Sequence, residues 1–250
     1  MFKNERQQEI LKILANKGYT TVEYLSSLMY TSESSIRRDL TELENKGLVL
    51  RSYGGVELTQ NNNKLIPFST RIHHRVKEKK HMAEKAAELV NDGDIVFLDQ
   101  ASSCLFLAQE LMNKKNITIV TNNIEILSAV SQSNLTIYSS GGRLSSTNKG
   151  CLIGEEAHEI FKKVRADILF FSAQGLSPDG IIYDCTLEEV SIRKTMLENA
   201  EKSVFLCDSE KFDRFSGYKQ CPLSDITYMV SEVDCKEKYK NYSGNLQFIY

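Results

Sequence analysis

Thr31-Ser-Glu-Ser-Ser-Ile-Arg-Arg-Asp-Leu40 decides how the N-terminal part of the chain is read. Ile36 and Leu40, with Leu43 beyond them, fall at i, i+4 and i+7, which puts one apolar stripe on a helix. Ser32 stands where a helix cap belongs, and Glu33 suits the positive end of the helix. The opposite face carries Ser34, Ser35, Arg37, Arg38 and Thr41. Short hydroxyls at a helix start bind phosphate together with the free backbone N–H groups, and guanidinium groups grip guanine edges or phosphates. With Ser32, these residues are candidate contacts to the major groove of double-stranded DNA.

Working outward, Ile10, Leu11 and Leu14 share one side of an earlier helix. Thr20 and Glu23 have capping-box spacing for a second helix, with Leu25 and Leu28 as its buried positions. The third helix ends at Gly47. Leu48 to Tyr53 and Val56 to Leu58 then flank Gly54-Gly55, the pattern of a hairpin. A hairpin after a helix–turn–helix is a wing, so Arg51 and Tyr53 join the candidate DNA contacts. Residues 1–58 hold eight basic and eight acidic side chains. That balance leaves a second reading open, a small three-helix unit that binds protein.

Thr59 to Pro67 is polar and asparagine-rich, as a linker is. The division expected is a winged helix–turn–helix over 1–58, a linker over 59–70 and an α/β domain over 71–250. From Lys64 to Lys85 seven basic and two acidic residues give a net charge of +5. This stretch reads as a solvated helix face, an added DNA-backbone contact or an anion site.

In the C-terminal part, short apolar runs alternate with helical stretches, the pattern of a largely parallel sheet with crossover helices. Each run stops at small or hydrogen-bonding residues. Asp99, Thr121-Asn122, Ser139 to Arg143, Ser172 to Gly175 and Asp208 mark five such ends. Ligands of parallel α/β sheets bind there, and helix starts supply N–H donors to anions. Ser102 and Ser103 are candidate phosphate donors at the first crossover helix. Asn122 and Gly142 approach from neighbouring loops, with glycine allowing close backbone contact. Asp99 and Asp208 are candidate acceptors for sugar hydroxyls. Lys211 pairs either with a phosphate or with Asp208.

The bulk properties exclude more than they select. Hydrophobic residues make up 41% and charged residues 26%, with a formal charge of −2, an ordinary globular composition. None of the six cysteines forms a C-x-x-C pair, so a zinc module is not expected and reduced thiols are. No metal or other cofactor is expected. The start of the chain has no apolar signal core, and no apolar run reaches the roughly 20 residues needed to span a bilayer. A cytoplasmic protein without a membrane partner is expected.

Arg6 to Leu11, Thr31 to Leu40, Leu43 to Leu48 and Arg51-Ser-Tyr-Gly-Gly55 resemble the helix–turn–helix signature of the DeoR family. The second part resembles the DeoR sensor domain, with its ribose-5-phosphate-isomerase-like, Rossmann-like fold. Its carriers are Arg71 with Lys79, Gly93 to Asp99, Thr118 to Asn122, Gly141-Gly142, Gly150, Ala173-Gln174-Gly175 and Asp208 to Lys211. The resemblance implies a regulator, usually a repressor, of a sugar-catabolism operon, controlled by a phosphorylated sugar and bound to operator DNA as a homodimer or homotetramer. It adds Arg71, Lys79, Thr121, Gly141, Gln174 and Gly175 to the effector residues. The family reads D-x-G-[ST]-T after the first strand, where this chain has Asp99-Gln-Ala-Ser-Ser103, with Ala101 in place of glycine. The competing reading is a sugar-phosphate isomerase with an appended DNA-binding domain, which needs a base placed to move a proton between adjacent carbons. A third, a protein-interaction adaptor, leaves both the arginine-bearing helix and the polar strand ends without a purpose.

Overall fold

The computed structural model describes residues 3–17, 19–45, 48–52, 55–58 and 66–250. The chain forms two compact units, Met1–Thr70 and Arg71–Tyr250. In the first, α1 (Lys3–Lys17), β1 (Thr20–Thr21), α2 (Val22–Leu28) and α3 (Glu33–Asn45) precede β2 (Val49–Ser52) and β3 (Gly55–Leu58). The three strands form an antiparallel sheet in the order β1-β3-β2. Ile10, Leu14, Leu25, Ile36, Leu40, Leu43, Val49 and Val56 form its core, which is the face the helical spacing marks out.

Two local expectations shift. The cap of α2 is Thr21, whose Oγ1 accepts from the Tyr24 amide at 3.1 Å. Thr20 is instead buried and pairs with Val56 in the sheet. Leu28, expected inside, is 48% exposed, whereas Leu25 is fully buried. Gly55 has a steric reason: a Cβ there would lie 2.6 Å from the Thr20 carbonyl oxygen.

The second unit runs α4 (Phe68–Arg71, which begins in the first unit), α5 (Val76–Ala87), β4 (Ile95–Leu98), α6 (Ser102–Leu111), β5 (Thr118–Thr121), α7 (Ile124–Val130) and β6 (Thr136–Ser139). There follow β7 (Arg143–Leu144), β8 (Leu152–Ile153), α8 (Glu155–Lys163), β9 (Ala166–Phe171), β10 (Gly175–Leu176) and β11 (Ile181–Asp184). The chain closes with α9 (Leu187–Glu198), β12 (Ala200–Leu206), β13 (Tyr218–Pro222), β14 (Tyr228–Val230), α10 (Lys236–Tyr239) and β15 (Gln247–Ile249). Seven strands form one parallel sheet, β15-β14-β12-β9-β4-β5-β6.

That order is the doubly wound one. The chain starts at β4, builds outward to β6, then returns to β9 and builds the other way. Its switch point lies between β4 and β9, where ligands of such sheets bind beyond the strand ends. The central strands β4, β5, β9 and β12 are largely buried on both faces and so read as continuous apolar runs, whereas the edge strand β6 is mostly exposed. Val96, Leu98, Ile168 and Phe170 pack toward Met82, Ala86, Leu107 and Leu111. Phe97, Leu169, Phe171 and Phe205 pack toward Phe161, Ile192 and Met196 on the other face.

Candidate functional sites

The first site is the outward face of α3. Ser32 ends the preceding turn, and its backbone oxygen accepts from the Ile36 amide at 3.1 Å. Its hydroxyl lies 3.1 Å from Ser34 Oγ and 3.0 Å from Ser35 Oγ, so three hydroxyls cluster at the helix start. Ser32, Ser34, Arg37, Arg38 and Thr41 are exposed and Ser35 is partly so. Arg37 pairs with Glu33 at 3.0 Å, a solvent-exposed contact worth little and readily exchanged. Thr41 Oγ1 accepts from Arg51 at 2.9 Å, which ties the wing to the helix. Tyr53 lies outside the described residues.

The neutral charge count resolves into two sides. Asp39 is 1% exposed and takes a two-pronged contact from Arg6, with Nε at 2.5 Å and Nη2 at 3.3 Å. Glu42 receives Gln7 at 2.9 Å and Lys3 at 2.6 Å. Glu44 accepts from the Arg51 amide at 3.3 Å. Asp39 and Glu42 are therefore spent on docking α1 and Glu44 on β2, and Arg37 and Arg38 keep the outward face basic.

The second site is at the switch point. The N-cap of α6 is Ala101, with no side-chain cap. Its φ of −73° and ψ of 148° are extended backbone, so the loop takes this path without glycine. Ser103 is buried at the first turn, and its hydroxyl has no hydrogen-bond partner. Lys211 donates to Ser172 Oγ at 2.6 Å, beyond β9. Lys79 is buried, and its ammonium donates to the His74 carbonyl at 2.8 Å and to the Arg71 carbonyl. Burial first, and then the charges of Lys211 and Arg71 working against Asp208, bring Lys79 down to about 7. Lys79 and Lys211 thus bring like charge into one locality, and Arg71 adds to it.

Their placement is braced from behind. Arg75 opens α5 at φ 52°, an unusual conformation for a side chain of this size, and is held by Glu232 at 2.5 Å and Ser209 at 3.1 Å. The His74 ring beside Glu210 holds that carboxyl down at about 2. These contacts fix the Ser209–Lys211 turn. Arg71, Arg75 and Lys79 of the basic stretch therefore serve the sensor unit, whereas Lys77 and Lys80 are exposed.

Several expected effector residues do other work. Asp99 is fully buried and saturated: Oδ1 accepts from Ala101 and Cys104, and Oδ2 from Ser172 and Arg193. It is a brace between the loops after β4 and β9, with no room for a sugar hydroxyl. Asp208 is held between Arg75 at 3.5 Å and Lys211 at 3.6 Å, an ion-pair anchor. Thr121 is buried and caps its own loop by accepting from the Asn123 amide. Gly142 makes its close approach to strand β8, since a Cβ would lie 2.6 Å from the Ile153 carbonyl oxygen. Gly175 packs likewise against Arg214, at 2.6 Å. Gly141 is an exposed turn residue at φ 70°. Gln174 is half-buried, and its amide donates to the Tyr183 carbonyl.

Sequence reasoning missed Arg193. This fully buried guanidinium lies 3.0 Å from Asp99 and 2.8 Å from Asp184, and donates to Gln220. Burial works against its charge, and Asp184, Asp99 and Glu189 outweigh that and raise its pKa. It missed also a buried polar chain. Glu189 accepts from Gln100 at 3.1 Å and Asn148 at 2.9 Å, and Asn122 donates to Gln100 at 3.3 Å. Burial, and then Asp184, push the Glu189 carboxyl above its usual range. All six cysteines are unpaired, and among the described residues no group of His, Cys, Asp and Glu is disposed to hold a metal ion. No helix among them is long and apolar enough to cross a membrane.

A winged helix–turn–helix joined to a doubly wound unit with a cationic switch point is the build of a DNA-binding regulator with a sensor. The comparisons agree. Residues 6–62 match the DeoR-like helix-turn-helix domain, and residues 74–233 match the DeoR C terminal sensor domain. The chain is 30% identical over 233 residues to the L-fucose operon activator of Escherichia coli (strain K12), covering 92% of this chain and 95% of that one. It is 28% identical over 253 residues to the lactose phosphotransferase system repressor of Staphylococcus aureus (strain N315), with both chains fully covered. Among solved structures, ribose 5-phosphate isomerase A from Methanocaldococcus jannaschii is similar with a TM-score of 0.40 and 18% identity, covering 54% of this chain and 53% of that one. The chain belongs to the DeoR family of transcription regulators. It is a DNA-binding regulator that joins a helix–turn–helix to a sensor domain.

Proposed function

We propose that this regulator represses a carbohydrate-utilisation operon in the cytoplasm and is released or retuned when a phosphorylated sugar enters the switch point of its sensor unit. Ser32, Ser34, Ser35, Arg37, Arg38 and Thr41 face the operator, with Arg51 supporting Thr41. The phosphate sits at the uncapped start of α6, beside Ser102 and Ser103, and is neutralised by Arg71, Lys79 and Lys211. What supports this reading is that Lys211 reaches Ser172, whose amide donates to Asp99 in the loop that opens α6, where the buried Ser103 hydroxyl has no partner. Lys79 and Lys211 repel one another and Asp208 compensates them only in part, so a dianion lowers that cost. The regulator works as a homodimer or homotetramer, which sets two recognition helices on operator half-sites.

Operator binding of the full chain, followed by gel shift or anisotropy while sugar phosphates are titrated, tests this. Release by a sugar phosphate and not by the free sugar is expected. Coupling of about 1–3 kcal/mol between the two ligands is the usual size of such an effect. Indifference of the complex to every hexose and pentose phosphate tried overturns it.

A further inference from the structure

We infer that Asn148 and Asn122, at the two ends of the buried chain Asn148–Glu189–Gln100–Asn122, choose the sugar by accepting from two of its hydroxyl groups. This rests on the phosphate placement proposed above and adds the part of the site that tells one sugar phosphate from another.

Asn122 and Asn148 are 0% and 2% exposed. Each has its amide nitrogen engaged. Asn122 Nδ2 donates to the Leu152 carbonyl at 3.2 Å and to Gln100 Oε1 at 3.3 Å. Asn148 Nδ2 donates to Glu189 Oε1 at 2.9 Å. A carbonyl oxygen takes only donors, so the Asn122 amide is fixed with its own oxygen pointing away. The Oδ1 atoms of both residues are buried and have no hydrogen-bond partner. A native fold rarely leaves such acceptors unfilled, because each costs about as much as a lost hydrogen bond.

Both unpartnered atoms are acceptors, so what they bind must donate. The two acceptors border a chain whose other members already hold one another, Gln100 to Glu189 and Asn122 to Gln100. Gln100 belongs to the loop that leads from β4 into α6, and Asp99 of that loop accepts from the amide of Ser172, whose hydroxyl receives Lys211, so the amide chain and the cations border the same loop. A ligand with its anionic end on the cations and hydroxyls a few bonds away supplies a donor to both amide oxygens. Polyol monophosphates have that form. Inorganic phosphate fills the cations alone, and a deoxy sugar phosphate leaves one amide oxygen bare.

Asn148 is the better probe, since it stands in the loop between β7 and β8, outside the parallel sheet. The test is a ligand–protein cycle on the full chain by calorimetry. Wild type and Asn148→Ala are titrated with glucose 6-phosphate, ribose 5-phosphate, their 2-deoxy counterparts, a wider panel of hexose and pentose phosphates, and inorganic phosphate. Asn148→Ser, a smaller change, serves as the parallel variant if the alanine protein has lost its folded near-ultraviolet signal. For the tightest sugar phosphate, the variant is expected to bind about ten- to a hundredfold more weakly. Inorganic phosphate is expected to bind both proteins within about twofold. A deoxy analogue lacking the hydroxyl that meets Asn148 is expected to bind both proteins alike, which a merely structural role for Asn148 does not produce. Equal losses for sugar phosphate and inorganic phosphate, or no loss for either, overturn the inference while the phosphate site stands. If wild type binds no sugar phosphate at all, the phosphate placement fails and the inference falls with it.

Discussion

Arg37 and Arg38 on α3 and Arg193 on α9 carry the same guanidinium group in opposite settings. The first two stand in solvent, one loosely paired with Glu33 and the other resting on the Ser34 carbonyl at 3.4 Å. The third is fully buried between Asp99 and Asp184. An exposed guanidinium with a weak internal partner is available to a phosphate or a guanine edge. A buried one with two carboxylates is committed to the fold. Lys79 and Lys211 stand between these cases: enclosed, mutually repelling and only partly compensated. In the function proposed here, the helix face offers exposed charge to a large polyanion and the switch point holds charge for a small one.

The comparison breaks most visibly at Arg193. Arg193→Met leaves two buried carboxylates without their partner, and a stability loss of about 3–5 kcal/mol is expected in urea denaturation of the sensor unit. A loss below about 1 kcal/mol would mean that Asp99 and Asp184 find other partners. Lys211→Ala ranks next. It should weaken sugar-phosphate binding by about 1.5–3 kcal/mol, the worth of a charge-assisted hydrogen bond, read by thermal shift across a ligand series. Undiminished ligand response would remove Lys211 from the site.

Lys79 sharpens the comparison through pH. Its folded value, about 7, lies below the ordinary 10.5. Below pH 7 the folded unit carries a buried charge that the unfolded chain carries in water, so the penalty is complete there. It fades as pH rises from about 7 toward 10.5, and this group alone makes stability increase across that window. A bound dianion restores the ammonium, so effector binding near pH 8 should take up a proton. Calorimetry in buffers of different ionisation enthalpy measures it, and Lys79→Met should abolish the uptake. The smallest expected change is the stability of Arg37→Ala, within about 0.5 kcal/mol of wild type by thermal denaturation, since it loses only an exposed pair. A larger loss would mark Arg37 as structural.

How much of this was legible in the sequence follows from the range of the interactions. The recognition helix was readable because Ile36, Leu40 and Leu43 sit within two turns of one another and report the buried face directly. The parallel sheet was readable from apolar runs ending in polar residues. The cap at Thr21 was misplaced by one residue because Thr20 is claimed by Val56, 36 positions away. From sequence Asp99 reads as a sugar acceptor, because its neighbours there say nothing of Arg193, 94 residues on. Arg193 itself lies in an ordinary helical stretch, Ser191-Ile-Arg-Lys194, where periodicity marks it as no different from Lys194. Asn148 stands in a loop with no period at all.

The most direct test of the whole account exchanges the two readouts between the two units. In the full chain, Arg38→Ala should weaken operator binding by about 1–3 kcal/mol while the sugar-phosphate thermal shift stays at its wild-type value. Lys211→Ala should do the reverse, keeping operator affinity and blunting the response to sugar phosphate. If either substitution abolishes both readouts in a protein that remains folded, or neither readout moves, the division of charge described here is contradicted.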